Sequence, residues 1–203
     1  MPNLAFAADE TALLRAEIAR LQGETLRLQA EIERLETLSQ EDALTQLLNR
    51  RGFLRDLDRA LAFTERYGAT AALLLLDLDR FKPINDRWGH AVGDLALCHV
   101  AQLLRGNLRS SDSIGRLGGD EFLILLWQVD EAVARQKADA LERILALSPL
   151  AYGPDTIPVT GSIGSTSLMR GDDALAVLAR ADAAMYRRKR ERAGDAPPAA
   201  VRR

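Results

Sequence analysis

The sequence predicts an α+β fold: a split βαβ (ferredoxin-like) sheet, mostly antiparallel with helices on one face, preceded by a parallel coiled-coil helix. Three observations carry this. Residues 42–192 read helix, strand, helix, strand, strand, helix, strand, helix. Two strand-like segments flank Gly118-Gly119-Asp120-Glu121, a hairpin signal. Residues 9–41 carry a heptad repeat with no proline and one glycine.

In that first segment Leu14, Ile18, Leu21, Thr25, Leu28, Ile32 and Leu35 recur at alternating spacings of 4 and 3. Ile18 and Ile32 take the a positions, and Leu14, Leu21, Leu28 and Leu35 the d positions, a pattern that favours two parallel strands. Thr25 weakens the a column. One amphipathic helix folded back on its own domain is the alternative. Leu38 and Leu44 fall off the seam, so the register is disturbed where the coil would enter the next domain, a natural joint for transmitting a signal. Residues 1–8 are expected to be flexible and 193–203 a disordered tail.

Asn49 can cap a helix over about 50–67 with Phe53, Leu57, Ala60 and Leu61 on one face. Residues 71–78 form a short, continuous apolar run ending in acid, the mark of a central buried strand. Asp94 can cap a helix to about 108 with Leu97, Val100, Ala101, Leu104 and Leu108 as its stripe. Ser113–Leu117 and Phe122–Trp127 are the hairpin strands. A helix over about 130–147 ends before Pro149. Ile157–Leu168 alternates and carries Gly161 and Gly164, consistent with a strand that bends. A last helix covers about 172–190.

Composition narrows the function. The 203 residues hold 27 Lys and Arg against 29 Asp and Glu, a net charge of −2. That disfavours coating of DNA or an anionic membrane by charge. One cysteine, Cys98, excludes an internal disulfide. No apolar run approaches the ~18 residues of a membrane span, and the opening residues make a poor signal peptide, so a cytoplasmic protein is expected. Walker A, Rossmann and zinc-type spacings are missing, and the two histidines, His90 and His99, stand beside no obvious nucleophile.

The acids are the remaining signal. Asp77 and Asp79 end the first strand of the pattern, and Asp120 and Glu121 sit at the hairpin tip, so the topology can bring both pairs to one end of the sheet. Four carboxylates together raise each other's pKa. A hard divalent cation removes that conflict, and Mg²⁺ normally takes one or two carboxylates plus substrate phosphates. A solvated acidic rim fits the spacing equally well. Gly118 and Gly119 would let a phosphate approach the backbone closely.

Specific motifs go further. Gly118-Gly119-Asp120-Glu121-Phe122, preceded by Arg116-Leu117, resembles the signature that gives GGDEF domains their name. Asp77-Leu78-Asp79-Arg80-Phe81-Lys82-Pro83-Ile84-Asn85-Asp86, then Trp88-Gly89-His90 and Gly93-Asp94, resembles the second motif of that family. Asp42-Ala43-Leu44-Thr45 with Asn49-Arg50-Arg51 resembles its opening segment, and Ala181-Asp182, Met185-Tyr186 and Lys189 its closing helix. These blocks cover residues 42–190.

The resemblance implies a diguanylate cyclase on a palm-like nucleotide cyclase sheet. It would join two GTP molecules into cyclic di-GMP, with release of two pyrophosphates, in a homodimer supplied by the coil. Asp77, the Leu78 carbonyl and Asp120 would hold Mg²⁺ (or Mn²⁺), with Glu121 helping. Asp120 would also assist deprotonation of the 3′-hydroxyl, and Lys82 would stabilise charge on the phosphates. Asn85 and Asp94 would read guanine, with His90 lining the same pocket. Lys189 would reach the outer phosphates. A surface lysine at Lys82, a packed histidine at His90 and a helix-end cation at Lys189 are the plainer readings. Arg109 and Asp112 match the family's RxxD product-inhibition site. No nucleic-acid partner is expected for the basic cluster Arg187, Arg188, Lys189, Arg190 and Arg192.

Three positions depart from the family pattern. Gln46 replaces a usual glycine, Ala140 a second inhibitor-binding arginine, and Ala193 an arginine for the terminal phosphates, for which Arg192 or Arg190 could substitute. Two other functions stay open: a degenerate nucleotide receptor, which the five intact signature residues argue against, and a coiled-coil interaction module.

Overall fold

A computed structural model describes residues 15, 17, 18, 20–29 and 40–195, except the side chains of 193–195. The chain divides into two compact units, residues 1–39 and 40–203. In the first, residues 20–29 are helical (α1). Ile18, Leu21 and Leu28 of the heptad seam are exposed in the single chain. The Thr25 hydroxyl donates to the Leu21 carbonyl at 2.9 Å, so its side chain is turned back on its own helix. Leu14, Ile32, Leu35, Leu38 and the stretch 1–8 lie outside the described residues.

The second unit holds a five-stranded sheet in the order β1-β3-β4-β2-β7. Its members are β1 (Leu48–Asn49), β2 (Ala71–Asp79), β3 (Ser113–Gly118), β4 (Glu121–Trp127) and β7 (Thr160–Ser167). All pairings are antiparallel except the short β1 on β3. The two-residue β1 and a small hairpin, β5 (Leu150–Tyr152) with β6 (Asp155–Ile157), are too short for a periodic signal.

Helices α2 (Arg50–Tyr67), α4 (His90–Gly106), α5 (Glu131–Leu147) and α6 (Ala174–Asp195) cover the sheet, and a short α3 (Phe81–Trp88) follows β2. The caps follow local chemistry: the side chains of Asn49, Asp130 and Asp173 accept from Gly52, Val133 and Ala176 N–H groups. The expectation of helices on one face is corrected. Leu74, Leu76 and Leu78 pack with α4 and α5, whereas Leu73 and Leu75 pack with α2 and α6. A strand apolar at every position needs cover on both faces. Each leucine so buried contributes about 1.5–3 kcal/mol.

Two helix ends also differ from the sequence reading. α4 starts at His90 behind Gly89, whose φ of 83° breaks the chain between α3 and α4, so Asp94 caps nothing. α6 continues to Asp195, making the first three residues of the expected tail helical; residues 196–203 lie outside the described residues.

Candidate active site

The C-terminal end of β2 and the β3–β4 turn form one acidic corner. Register sets Asp77 directly opposite Glu121 and, on the other side, Ser162. The Leu78 N–H donates to the Asp120 carbonyl at 3.2 Å, joining the two acidic segments through the backbone. The turn needs its glycines, because Gly118 and Gly119 have φ of 142° and 54°.

Arg116 fixes the tip. Its Nε and Nη2 donate to the Gly119 carbonyl at 3.0 and 2.7 Å, and its Nη1 reaches both Asp42 carboxylate oxygens at 3.3 Å. Asp42 also accepts from the Thr45 N–H and hydroxyl at 2.8 and 2.6 Å. Burial alone would raise the Asp42 carboxyl, but Thr45 and Arg116 hold it below the usual range. The opening segment is thus a brace for the turn. Within it Gln46 has φ of 56°, which explains in backbone terms why a glycine suits that position.

The acids feel one another. Burial, then the nearby Asp77 charge, pushes the Asp120 carboxyl up. Burial, followed by Asp77, Asp120 and Asp182, does the same to Glu121. From α6, the Lys189 ammonium donates to Asp77 Oδ1 at 2.6 Å. Burial would lower its pKa, but Asp77, Asp79 and Asp120 outweigh that and raise it. Asp79 accepts from the Ser162 hydroxyl at 2.9 Å and lies 3.5 Å from Arg192 Nη1. A cleft of about 720 Å³ opens beside this corner, lined by Asp79, Arg80, Trp88, Pro158, Lys189 and Arg192 among others. Of Arg190 and Arg192, it is Arg192 that lines it, together with Arg80 and Arg87.

Among the described residues no three His, Cys, Asp or Glu side chains gather into a complete metal cage. Two mutually repelling carboxylates, Asp77 and Asp120, nonetheless suit an ion that completes its shell with phosphate oxygens, as Mg²⁺ does. The donor set fits such an ion.

Asn85 and Asp94 come together through Gly93. A Cβ there would sit 1.9 Å from Asn85 Oδ1, so the amide rests on the Gly93 backbone, one residue from Asp94. Asn85 is half-buried, while Asp94, His90 and Lys82 are exposed. None of these four lines the cationic cleft.

Arg109 and Asp112 lie apart from this corner, at the far end of β3, roughly 17 Å of strand from the turn. Asp112 locks a tight turn: its carboxylate accepts from the Arg109 and Trp127 N–H groups at 3.0 and 3.3 Å. The exposed Arg109 lines a groove of about 400 Å³ with Phe63 and Trp127. Sequence reasoning missed the Arg116–Asp42 brace and the buried Glu142. Glu142 follows Ala138 by four residues and precedes Leu145 by three, so a carboxylate on an apolar stripe was the available signal.

A model of the family described as diguanylate cyclase, GGDEF domain, matches residues 39–195. The chain belongs to the GGDEF family. It is 42% identical over 165 residues to the diguanylate cyclase TpbB of Pseudomonas aeruginosa, covering 77% of this chain and 36% of that protein. It is 37% identical over 150 residues to the diguanylate cyclase DosC of Escherichia coli, covering 73% and 33%. The chain therefore spans about a third of these relatives. Among solved structures, the coiled coil and GGDEF domain of DgcB from Caulobacter crescentus in complex with c-di-GMP superposes with a TM-score of 0.72 at 31% identity, covering 88% of this chain and 95% of that one. The diguanylate cyclase SiaD from Pseudomonas aeruginosa, in complex with its activator SiaC, gives 0.72 at 32% identity, covering 93% and 74%.

Proposed function

We propose that this GGDEF domain condenses two GTP molecules into cyclic di-GMP, releasing two pyrophosphates, as a cytoplasmic homodimer joined through its N-terminal coil in bacterial second-messenger signalling. The observation that carries the reading is the β2–β4 register, which puts Asp77 and Asp120 in one corner beside a cleft flanked by Lys189 and Arg192.

Each domain holds one GTP, and two domains face each other. Each ribose 3′-oxygen attacks the α-phosphorus of the opposite nucleotide; an O3′–P bond forms, the bond to the β-phosphate oxygen breaks, and pyrophosphate leaves. Asp77, the Leu78 carbonyl and Asp120 would hold Mg²⁺ or Mn²⁺, which when bound would neutralise phosphate charge. Asp120 takes the 3′-hydroxyl proton, with Glu121 beside it. Lys82 in the first turn of α3 and Lys189 in α6 meet developing charge on the phosphates. Gly118 and Gly119 keep the turn bare of side chains where phosphates approach. Asn85 and Asp94 read the guanine edge; Asp94 is free for this because the helix starts four residues earlier. His90 flanks the base.

Incubating the chain with GTP and Mg²⁺ tests the whole reading. Cyclic di-GMP and pyrophosphate in a 1:2 ratio is the expected result. GTP binding without product would leave a receptor and overturn the cyclase reading. Arg109 and Asp112 make the product-inhibition site, so cyclic di-GMP is both product and inhibitor. Arg109→Ala is expected to weaken inhibition at least about tenfold, the loss of one bidentate arginine contact, with initial rates unchanged. Equal product sensitivity in parent and variant sinks that assignment.

A further inference from the structure

Glu142 is 2% exposed and lies outside every motif quoted above. Its Oε1 accepts the Ile163 N–H of β7 at 2.8 Å. Two arginines of α6 also converge on it: Arg188 Nη2 lies 3.1 Å and Arg192 Nη2 3.0 Å from Oε2. A buried carboxylate needs compensation, but Ile163 and Arg188 already provide a hydrogen bond and a charge. The second arginine has another task. Its other terminal nitrogen, Nη1, donates to the Gly161 carbonyl at 2.7 Å and lies 3.5 Å from Asp79 Oδ2, at the wall of the cleft. Arg192 is thus tied at its rear to a buried anion and held at its front on the Gly161 carbonyl and, more loosely, the Asp79 carboxylate. Lys189, three residues earlier, presents its ammonium from the same face of α6.

The geometry points to Glu142 as a positioning residue for triphosphate recognition. It holds the Arg192 guanidinium at the cleft wall, so that the outer phosphates of the nucleotide replace the Gly161 carbonyl and the loosely paired Asp79 as its front partners. This rests on the reading of the cleft as a GTP site. A guanidinium suits the task because its rigid planar fork holds separate N–H edges toward a carboxylate and a phosphate, an orientation that the flexible lysine ammonium does not fix.

Calorimetric binding of a non-hydrolysable GTP analogue and of GMP, with Mg²⁺, to the full chain separates this from a mere staple between α5, α6 and β7. Glu142→Gln keeps the acceptor for Ile163 and removes the charge. It is expected to cut the preference for the triphosphate over GMP about tenfold while leaving GMP affinity unchanged. The KM for GTP rises by the same factor with kcat within about threefold. Arg192→Lys gives the same loss, and the double variant loses no more than either single. Should Glu142→Gln fail to fold, Arg192→Lys decides, since that side chain is surface-accessible. Unchanged triphosphate preference in a folded variant, or losses that multiply in the double variant, overturns the proposal. A parent that shows no preference for triphosphate over GMP sinks the reading of the cleft itself, a result distinct from a selective parent with unaffected variants.

Discussion

Asp120→Ala is expected to abolish cyclic di-GMP synthesis, a loss of at least about 10²–10³ in turnover, without destabilising the fold. The first half follows from chemistry: the side chain removed is both a candidate metal ligand and the candidate base at the 3′-hydroxyl. The second follows from the sign of a pKa. Burial, then Asp77, raises the Asp120 carboxyl, so its ionised form is less comfortable in the folded metal-free protein than in the unfolded chain. For a carboxyl raised in this way the cost is absent well below its unfolded pKa and complete above its folded one, hence at neutral pH. Deleting the group removes that cost and relieves Asp77 and Glu121 as well. Thermal melting of metal-free parent and variant, beside a GTP turnover assay, reads both halves. Near-normal turnover refutes the role. Lost turnover together with a melting point several degrees lower would make Asp120 a structural turn residue.

The acids of this corner were legible because they sit where local patterns end: Asp77 closes an apolar run and Asp120 follows two glycines. Their partners were not. Lys189 lies 112 residues from Asp77, and Arg192 lies 113 from Asp79, so nothing local couples them. Strands and helices with a full period, such as α2 behind its Asn49 cap, could be read directly. The eight-residue α3 is too short to show one, and Gly93-Asp94 imitated a helix start although tertiary packing of Asn85 on Gly93 places that glycine inside α4. Gly161 and Gly164 were visible as strand breakers, but the pressure on them is close approach. At Gly161 a Cβ would lie 2.4 Å from Leu76 Cδ1.

Gly164→Ala is expected to cost about 3 kcal/mol or more, because the obstacle is backbone. An added Cβ would sit 2.1 Å from the Met185 nitrogen and 2.3 Å from the Ala181 carbonyl oxygen of α6, and neither can rotate aside. The helix must lift from β7. That opens the core cluster in which Val177, Ala181 and Met185 are buried. For a domain of this size the melting point falls by roughly 10 °C. Gly106→Ala is the matched control: at the end of α4 a Cβ meets nothing within 4 Å, so stability holds or rises by up to about 1 kcal/mol. The lever does not stop at the core. Lys189 and Arg192 lie four and seven residues beyond Met185, about 6 and 10 Å along the helix axis. A displaced α6 therefore draws both cations from the cleft, and the KM for GTP should rise in whatever fraction remains folded. A Gly164→Ala variant that melts within 2 °C of the parent would contradict this packing, whereas loss of stability with an unchanged KM would show that the cations' reach does not depend on how closely α6 sits on the sheet.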